Sequence, residues 1–226
     1  MGHDRAERIL DAAAELVLRW GYKRVTIEEV AKRAGIGKGT VYLHFRSRTW
    51  LFACVLVRES LGVVDELLAA IRRDATNALI SEQVRLTYLE VRRRPILRAL
   101  FARDDDVLGE LARGSDADPV HQWRGELAAD LFGLLREHGL MRTDLDAATQ
   151  MYVVGAVQTG FHLQQPALGS PEETAAALHH TVRAAVEPQT APEPEALAAA
   201  APAVVARYVR FHATLAAAIG SQEGPT

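Results

Sequence analysis

From Asp4 to Trp20 the apolar residues Ile9, Ala13, Leu16, Val17 and Trp20 recur at helical spacing, while Arg5, Glu7, Arg8, Asp11, Glu15 and Arg19 fill the other side. That period predicts one amphipathic helix, and Gly21 stops it. Thr26-Ile27-Glu28-Glu29 has the Thr-x-x-Glu form of a capping box and starts a second helix, with Ile27, Val30, Ala31 and Ala34 as its buried stripe. Gly35-Ile36-Gly37 supplies the flexible backbone of a tight turn, after which Lys38 to His44 form a third, very short helix. Two short helices joined through glycine make a helix-turn-helix. Ser47 is placed to cap a fourth helix, to about Ala70, whose stripe runs through Trp50, Leu51, Cys54, Val55, Leu61, Val64 and Leu68.

The helical reading continues over about 77–94, Pro95 to Phe101, 119–138, 145–163 and 202–219. Pro119, Pro171 and Asp144 sit at cap or first-turn positions, and Ser170-x-x-Glu173 is a second capping box. Pro188, Pro192, Pro194 and Pro202 make 187–202 a semi-rigid connection. No strand pattern is present. The fold class expected is therefore all-α: a three-helix helix-turn-helix domain over residues 1–50, then a larger helical domain over residues 51–226.

At 226 residues, with 49% apolar and 24% charged side chains, the chain can bury a core without disulfides or structural metals. Its one cysteine, Cys54, lies between Ala53 and Val55 and reads as a small core residue. No apolar run approaches the roughly 18 residues that span a bilayer, and the first residues lack the hydrophobic stretch of a secretory signal, so a cytoplasmic protein is expected. Charge sharpens the picture. Residues 1–50 hold ten Lys or Arg against six Asp or Glu, net +4, leaving sixteen against twenty-three, net −7, for the rest. The basic part coincides with the helix-turn-helix.

In a third helix this short, Ile36, Val41 and Phe45 can pack inward, which leaves Lys38, Gly39, Thr40, Tyr42, Leu43 and His44 facing out. Taken singly, each would pass for an ordinary solvated residue. Together they suit double-stranded DNA. The helix N-terminus offers free N–H groups to phosphate, Lys38 adds charge and Thr40 a hydroxyl, and Gly39 permits close approach. Tyr42 and His44 can donate to phosphate oxygens, while Leu43 meets only an apolar edge such as a thymine methyl. Thr26 and Arg48, at the starts of their helices, are placed to brace the flanking DNA backbone.

Thr26 to Phe45 resemble the DNA-binding domain of the TetR family of bacterial transcriptional regulators, with a close match over about residues 6–52. The resemblance is carried by Lys38-Gly39-Thr40-Val41-Tyr42-Leu43-His44-Phe45, the form of that family's recognition helix. Gly37 and Leu43 depart from it, since polar residues are common at the first position and polar or aromatic ones at the second. The resemblance implies a homodimer on a palindromic operator and a helical domain for a small, largely hydrophobic effector. It further implies that the last two long helices dimerise, here through Ala148, Tyr152, Ala156, Thr159 and Leu163 on one and Val205, Tyr208, Val209 and His212 on the other. Candidate walls of an effector pocket are Tyr88, Phe101, Trp123, Phe132, Met151, Tyr152, Phe161 and His162, although for any one of them ordinary core packing is the commoner role. Repression is the default mode, with the fourth helix as the lever between the domains.

Rival readings are weaker. There is no phosphate loop, dinucleotide glycine pattern, nucleophile elbow or metalloprotease motif, so no catalytic residue and no cofactor are assigned. The histidines, His179-His180 among them, lack the ligand spacing of a zinc site, so no metal is assigned. A purely architectural DNA binder would not need the long acidic helical part.

Overall fold

A computed structural model describes residues 2–102, 104, 106–108, 119–164 and 169–220. Among them are ten α-helices and no strand. No helix among the described residues is long and apolar enough to cross a membrane. The chain divides into two compact units, the first drawn from Met1–Leu61, Arg94–Ser115 and Thr214–Thr226, the second from Gly62–Arg93 and Asp116–Ala213.

In the first unit α1 (Gly2–Trp20) and α2 (Ile27–Ala34) are linked by a 3-10 turn at Tyr22–Arg24. They are followed by α3 (Lys38–His44) and the opening of α4 (Arg48–Arg73), with α6 (Pro95–Phe101) added from further along the chain. One core joins them: Ile9, Leu10, Ala13, Leu16 and Val17 of α1, Ile27, Val30 and Ala31 of α2, Val41 and Phe45, then Leu51, Phe52, Cys54 and Val55 of α4 and Ile96 and Ala99 of α6. Burial pushes the Cys54 thiol up to about 12, the inert core residue its neighbours implied. Trp20 departs from its stripe: it is exposed, with the Arg19 guanidinium 5.9 Å from its ring. Arg58 of α4 donates to Glu7 at 3.2 Å and Asp11 at 2.8 Å on α1, holding the two helices together. The unit holding the helix-turn-helix thus reaches past residue 50.

The second unit contains the remainder of α4, a 3-10 turn at Ala75–Ala78, α5 (Ile80–Arg93), α7 (Pro119–Glu137), α8 (Ala147–Leu163), α9 (Pro171–Val186) and α10 (Pro194–Gly220). Its last seven residues, from Thr214, cluster with the first unit. The Asp74 carboxylate accepts the Thr76 N–H at 2.9 Å and so turns the chain before α5, which begins at Ile80 rather than near residue 77. Helix α5 packs chiefly on α9, and α8 packs on α9 and α7. Both halves of the Ser170 capping box form.

The 187–202 segment differs from expectation. Only its first part is irregular, because α10 starts at Pro194 and runs through Pro202 to Gly220. Proline costs nothing at a first helical position, where its N–H would be unpaired anyway. The alanines between have the highest helix propensity, and burial of Leu197, Ala200, Ala201 and Val204 offsets the single hydrogen bond that Pro202 cannot donate.

Two positive-φ glycines test this packing. Gly21 has φ 76° and ψ 152°, a region only glycine occupies, and a Cβ there would lie 2.3 Å from the Asp106 carbonyl oxygen. Gly35 caps α2 at φ 69° and ψ 36°, with nothing within 4 Å of a Cβ. Gly35→Ala should cost about 1 kcal/mol, the left-handed penalty alone, whereas Gly21→Ala should cost about 3 kcal/mol or more because overpacking adds to strain. Urea midpoints of the two variants check this, and equal shifts would place the Asp106 carbonyl away from Gly21.

Candidate nucleic-acid interface

The interface is assembled from three local devices. Thr26 caps α2, its side chain accepting the Glu29 N–H at 3.2 Å while the Glu29 carboxylate takes the Thr26 N–H at 2.7 Å. Gly35 then turns the chain, and the Ile36 N–H returns to Ala31 O at 3.0 Å. Finally Val41 and Phe45, four residues apart, drop into the core at 0% and 2% exposure. Since α3 has only seven residues, that one buried stripe decides where all the others point.

They point outward as the sequence indicates. Lys38, Gly39, Tyr42 and Leu43 are exposed, the last at 70%, and Thr40 and His44 are half-buried. Nothing lies within 4 Å of a Cβ built on Gly39, so the backbone there is open to close approach. The Lys38 ammonium pairs with Glu28 and sits 6.0 Å from the Tyr42 ring. Their shared hydrogen bond raises the Lys38 ammonium and lowers the Glu28 carboxyl from their ordinary values. Both groups are fully exposed, so water screens the pair and a phosphate can displace Glu28 at small cost.

Thr26 is exposed, its hydroxyl bonded to Glu29. Arg48 is different. It is half-buried, its Nε donating to Val25 O at 2.8 Å and its Nη2 to Tyr22 O, with the guanidinium 3.9 Å from the Tyr22 ring centroid. Sequence reasoning missed both of these partnerships, that of Lys38 with Glu28 and that of Arg48 with two carbonyls. A backbone carbonyl has no residue letter to reveal it.

Of the residues named for an effector pocket, Tyr88 and His162 meet, their rings 5.1 Å apart, and Phe132 is buried on α7. Trp123, Met151 and Phe161 are half-buried, but Tyr152 is 78% exposed and cannot wall a pocket, while Phe101 belongs to the first unit. A cavity of about 230 Å³ in the second unit is lined by none of them; Leu79, His138, Arg183, Glu187 and Pro192 are among its walls. The α8 residues named for dimerisation, Ala148, Tyr152, Ala156, Thr159 and Leu163, form one exposed face. On α10 Val209 is exposed, Val205 is half-buried, and half-buried His212 lies 3.3 Å from Asp65. Tyr208 corrects the expectation: its ring is buried and its hydroxyl donates to Gln83 Oε1 at 2.6 Å, so it belongs to its own subunit's core.

A capped helix, a left-handed glycine turn and a short second helix with a polar outer face define a helix-turn-helix DNA-binding protein. Residues 9–55 match the family described as bacterial regulatory proteins, tetR family. It is 28% identical over 163 residues to the transcriptional repressor BepR of Brucella suis, covering 69% of this chain and 77% of BepR. It is 36% identical over 70 residues to the transcriptional activator FasR of Mycolicibacterium smegmatis, covering 31% of this chain but only 30% of FasR. Among solved structures, SmeT, the repressor of the Stenotrophomonas maltophilia multidrug efflux pump SmeDEF, superposes with a TM-score of 0.62 over 83% of this chain and 93% of SmeT at 21% identity, a likeness of fold.

Burial, with the positive fields of Arg92 and Arg124, holds the His162 imidazole at about 4, below its ordinary 6.5. The unfolded chain therefore binds a proton in the window between those values that the folded chain refuses, so folding stability falls as pH drops from about 6.5 to about 4 and levels off below. The full window amounts to roughly 3 kcal/mol. His162→Gln should remove most of that pH dependence from the urea midpoint; a variant as acid-sensitive as the parent would mean that this imidazole is not excluded from water.

Proposed function

We propose that this protein is a ligand-responsive repressor that binds a palindromic operator as a homodimer and is released by a small, largely hydrophobic effector. The outer face of α3 carries this reading: with Val41 and Phe45 committed to the core, the remaining side chains form a surface suited to the major groove. Lys38 supplies the phosphate contact, Gly39 the close approach, Thr40, Tyr42 and His44 the polar contacts and Leu43 the apolar one. The net +4 of residues 1–50 in an otherwise acidic chain concentrates attraction for phosphate there.

Dimerisation is supported by the exposed α8 face, where Tyr152 at 78% and Leu163 at 47% leave apolar surface in water next to small residues that permit close helix approach. Two copies also answer an energetic need, because one seven-residue helix offers too few contacts for specific binding. Repression is supported by BepR, a repressor by name whose similarity extends well beyond the DNA-binding part. FasR, an activator by name, is matched over 70 residues only and says nothing about the sign of regulation. Residues 48–61 of α4 fall in the first unit and 62–73 in the second, so this one helix is the lever through which effector binding changes the population of DNA-competent dimers.

Selection from a random duplex pool with the purified protein tests the reading directly. A two-fold symmetric motif should be enriched and bound by two copies per duplex, at an affinity that falls steeply with salt. Recovery of no common sequence, or binding by one copy to an asymmetric site, would contradict it.

A further inference from the structure

Arg48 opens α4, yet its side chain turns back onto the connector between α1 and α2. Two acceptors on that connector are tied by one guanidinium: Nε donates to Val25 O at 2.8 Å and Nη2 to Tyr22 O. The planar cation also lies over two aromatic rings, 3.9 Å from the centroid of Tyr22 and 5.7 Å from that of Phe52. Those rings meet edge to face at 5.2 Å, and Tyr22 is 6% exposed. The same short stretch is held from another side, where the Tyr22 N–H donates to Val107 O at 2.6 Å. Val25 immediately precedes Thr26, the cap of α2 and the entrance to the helix-turn-helix.

A residue at the start of α4 in a DNA-binding domain would ordinarily be read as a phosphate contact. Here the cation is spent internally on carbonyl oxygens and ring faces, an arrangement that needs the flat fork of arginine and that the point charge of lysine does not reproduce. We propose that Arg48 is a positioning residue for DNA recognition, which locks the α1–α2 connector to the start of α4 and so sets the placement of Thr26, α2 and α3, without itself neutralising a phosphate. This rests on the DNA-binding reading of α3 given above.

The two roles have different thermodynamic signatures. A phosphate contact releases a counterion, so its removal lowers the slope of log affinity against log salt by about 0.9, whereas a misplaced but fully charged interface loses affinity with the slope unchanged. The test titrates the duplex recovered by selection over a salt series with the intact protein, R48K, R48Q and, as the phosphate-contact reference, K38A. Both Arg48 variants should bind about tenfold more weakly or worse at every salt concentration, the scale of two lost charge-assisted hydrogen bonds. Their slopes should equal that of the parent while K38A, which loses one contact in each of the two copies on the duplex, falls by about 1.8. Retained affinity in R48K, or a slope in R48Q lowered as in K38A, would overturn the proposal.

A second readout needs no DNA. Amide hydrogen exchange over residues 22–30 should be about tenfold faster in R48K than in the parent, with protection in α1 and the rest of α4 kept. Parent-like exchange over 22–30 would overturn the proposal even if binding were lost. Should selection recover no duplex, the DNA-binding reading fails while the exchange experiment still decides the role of Arg48; if R48Q does not fold, R48K decides both measurements.

Discussion

A seven-residue helix cannot hold itself together in water, and the recognition element of this protein exists because two side chains anchor it. Val41 and Phe45 enter the core formed by α1, α2 and α4, and that one stripe fixes the rotation of α3 about its axis. Every other side chain of the helix is then pointed away from the core, so a short run of Lys, Gly, Thr, Tyr, Leu and His becomes an outer face suited to DNA. The capping box at Thr26 and the left-handed turn at Gly35 pair part of the backbone groups that the two ends of α2 would otherwise leave open.

Polar ties set the order of the second unit in a similar way. Glu187, at the end of α9, accepts the Ser81 N–H of α5 at 2.8 Å, and burial raises its carboxyl above the ordinary range. Arg136 of α7 reaches Arg142 O, Leu145 O and Gln150 Oε1 through a single nitrogen, gathering the α7–α8 connection around it. Apolar packing between α5 and α9 is non-directional, and such bonds give it a register. The α8 face of Ala148, Tyr152, Ala156, Thr159 and Leu163 is left exposed, and its tyrosine and leucine are the chemical reason to expect a second copy there.

Local grammar made much of this legible in the sequence. A cap and its Glu three residues on, as at Thr26 and Ser170, or a proline at a first helical position, as at Pro95 and Pro171, involve neighbours in the chain and can be read from letters alone. So can the inward pair Val41 and Phe45. What failed involved distant partners or backbone. Tyr208 looked like an interface residue because its partner Gln83 is 125 positions away. The two carbonyls that Arg48 holds, those of Tyr22 and Val25, are likewise invisible in a sequence. The addition of α6 and Leu108 to the first unit, and the survival of α10 through Pro202, depend on burial that no local pattern announces.

The central claim, that the outer face of α3 lies against DNA, has a direct chemical probe. Cys54 is the only cysteine, 1% exposed and with its thiol at about 12, so it is inert to alkylation in the folded protein. In Leu43→Cys a single reactive thiol would stand on that face at a position 70% exposed in the parent. Its alkylation by iodoacetamide should slow at least about tenfold when the selected duplex is bound and recover when salt releases the duplex. A thiol at position 43 that reacts equally fast in free and DNA-bound protein would place some other surface on the DNA.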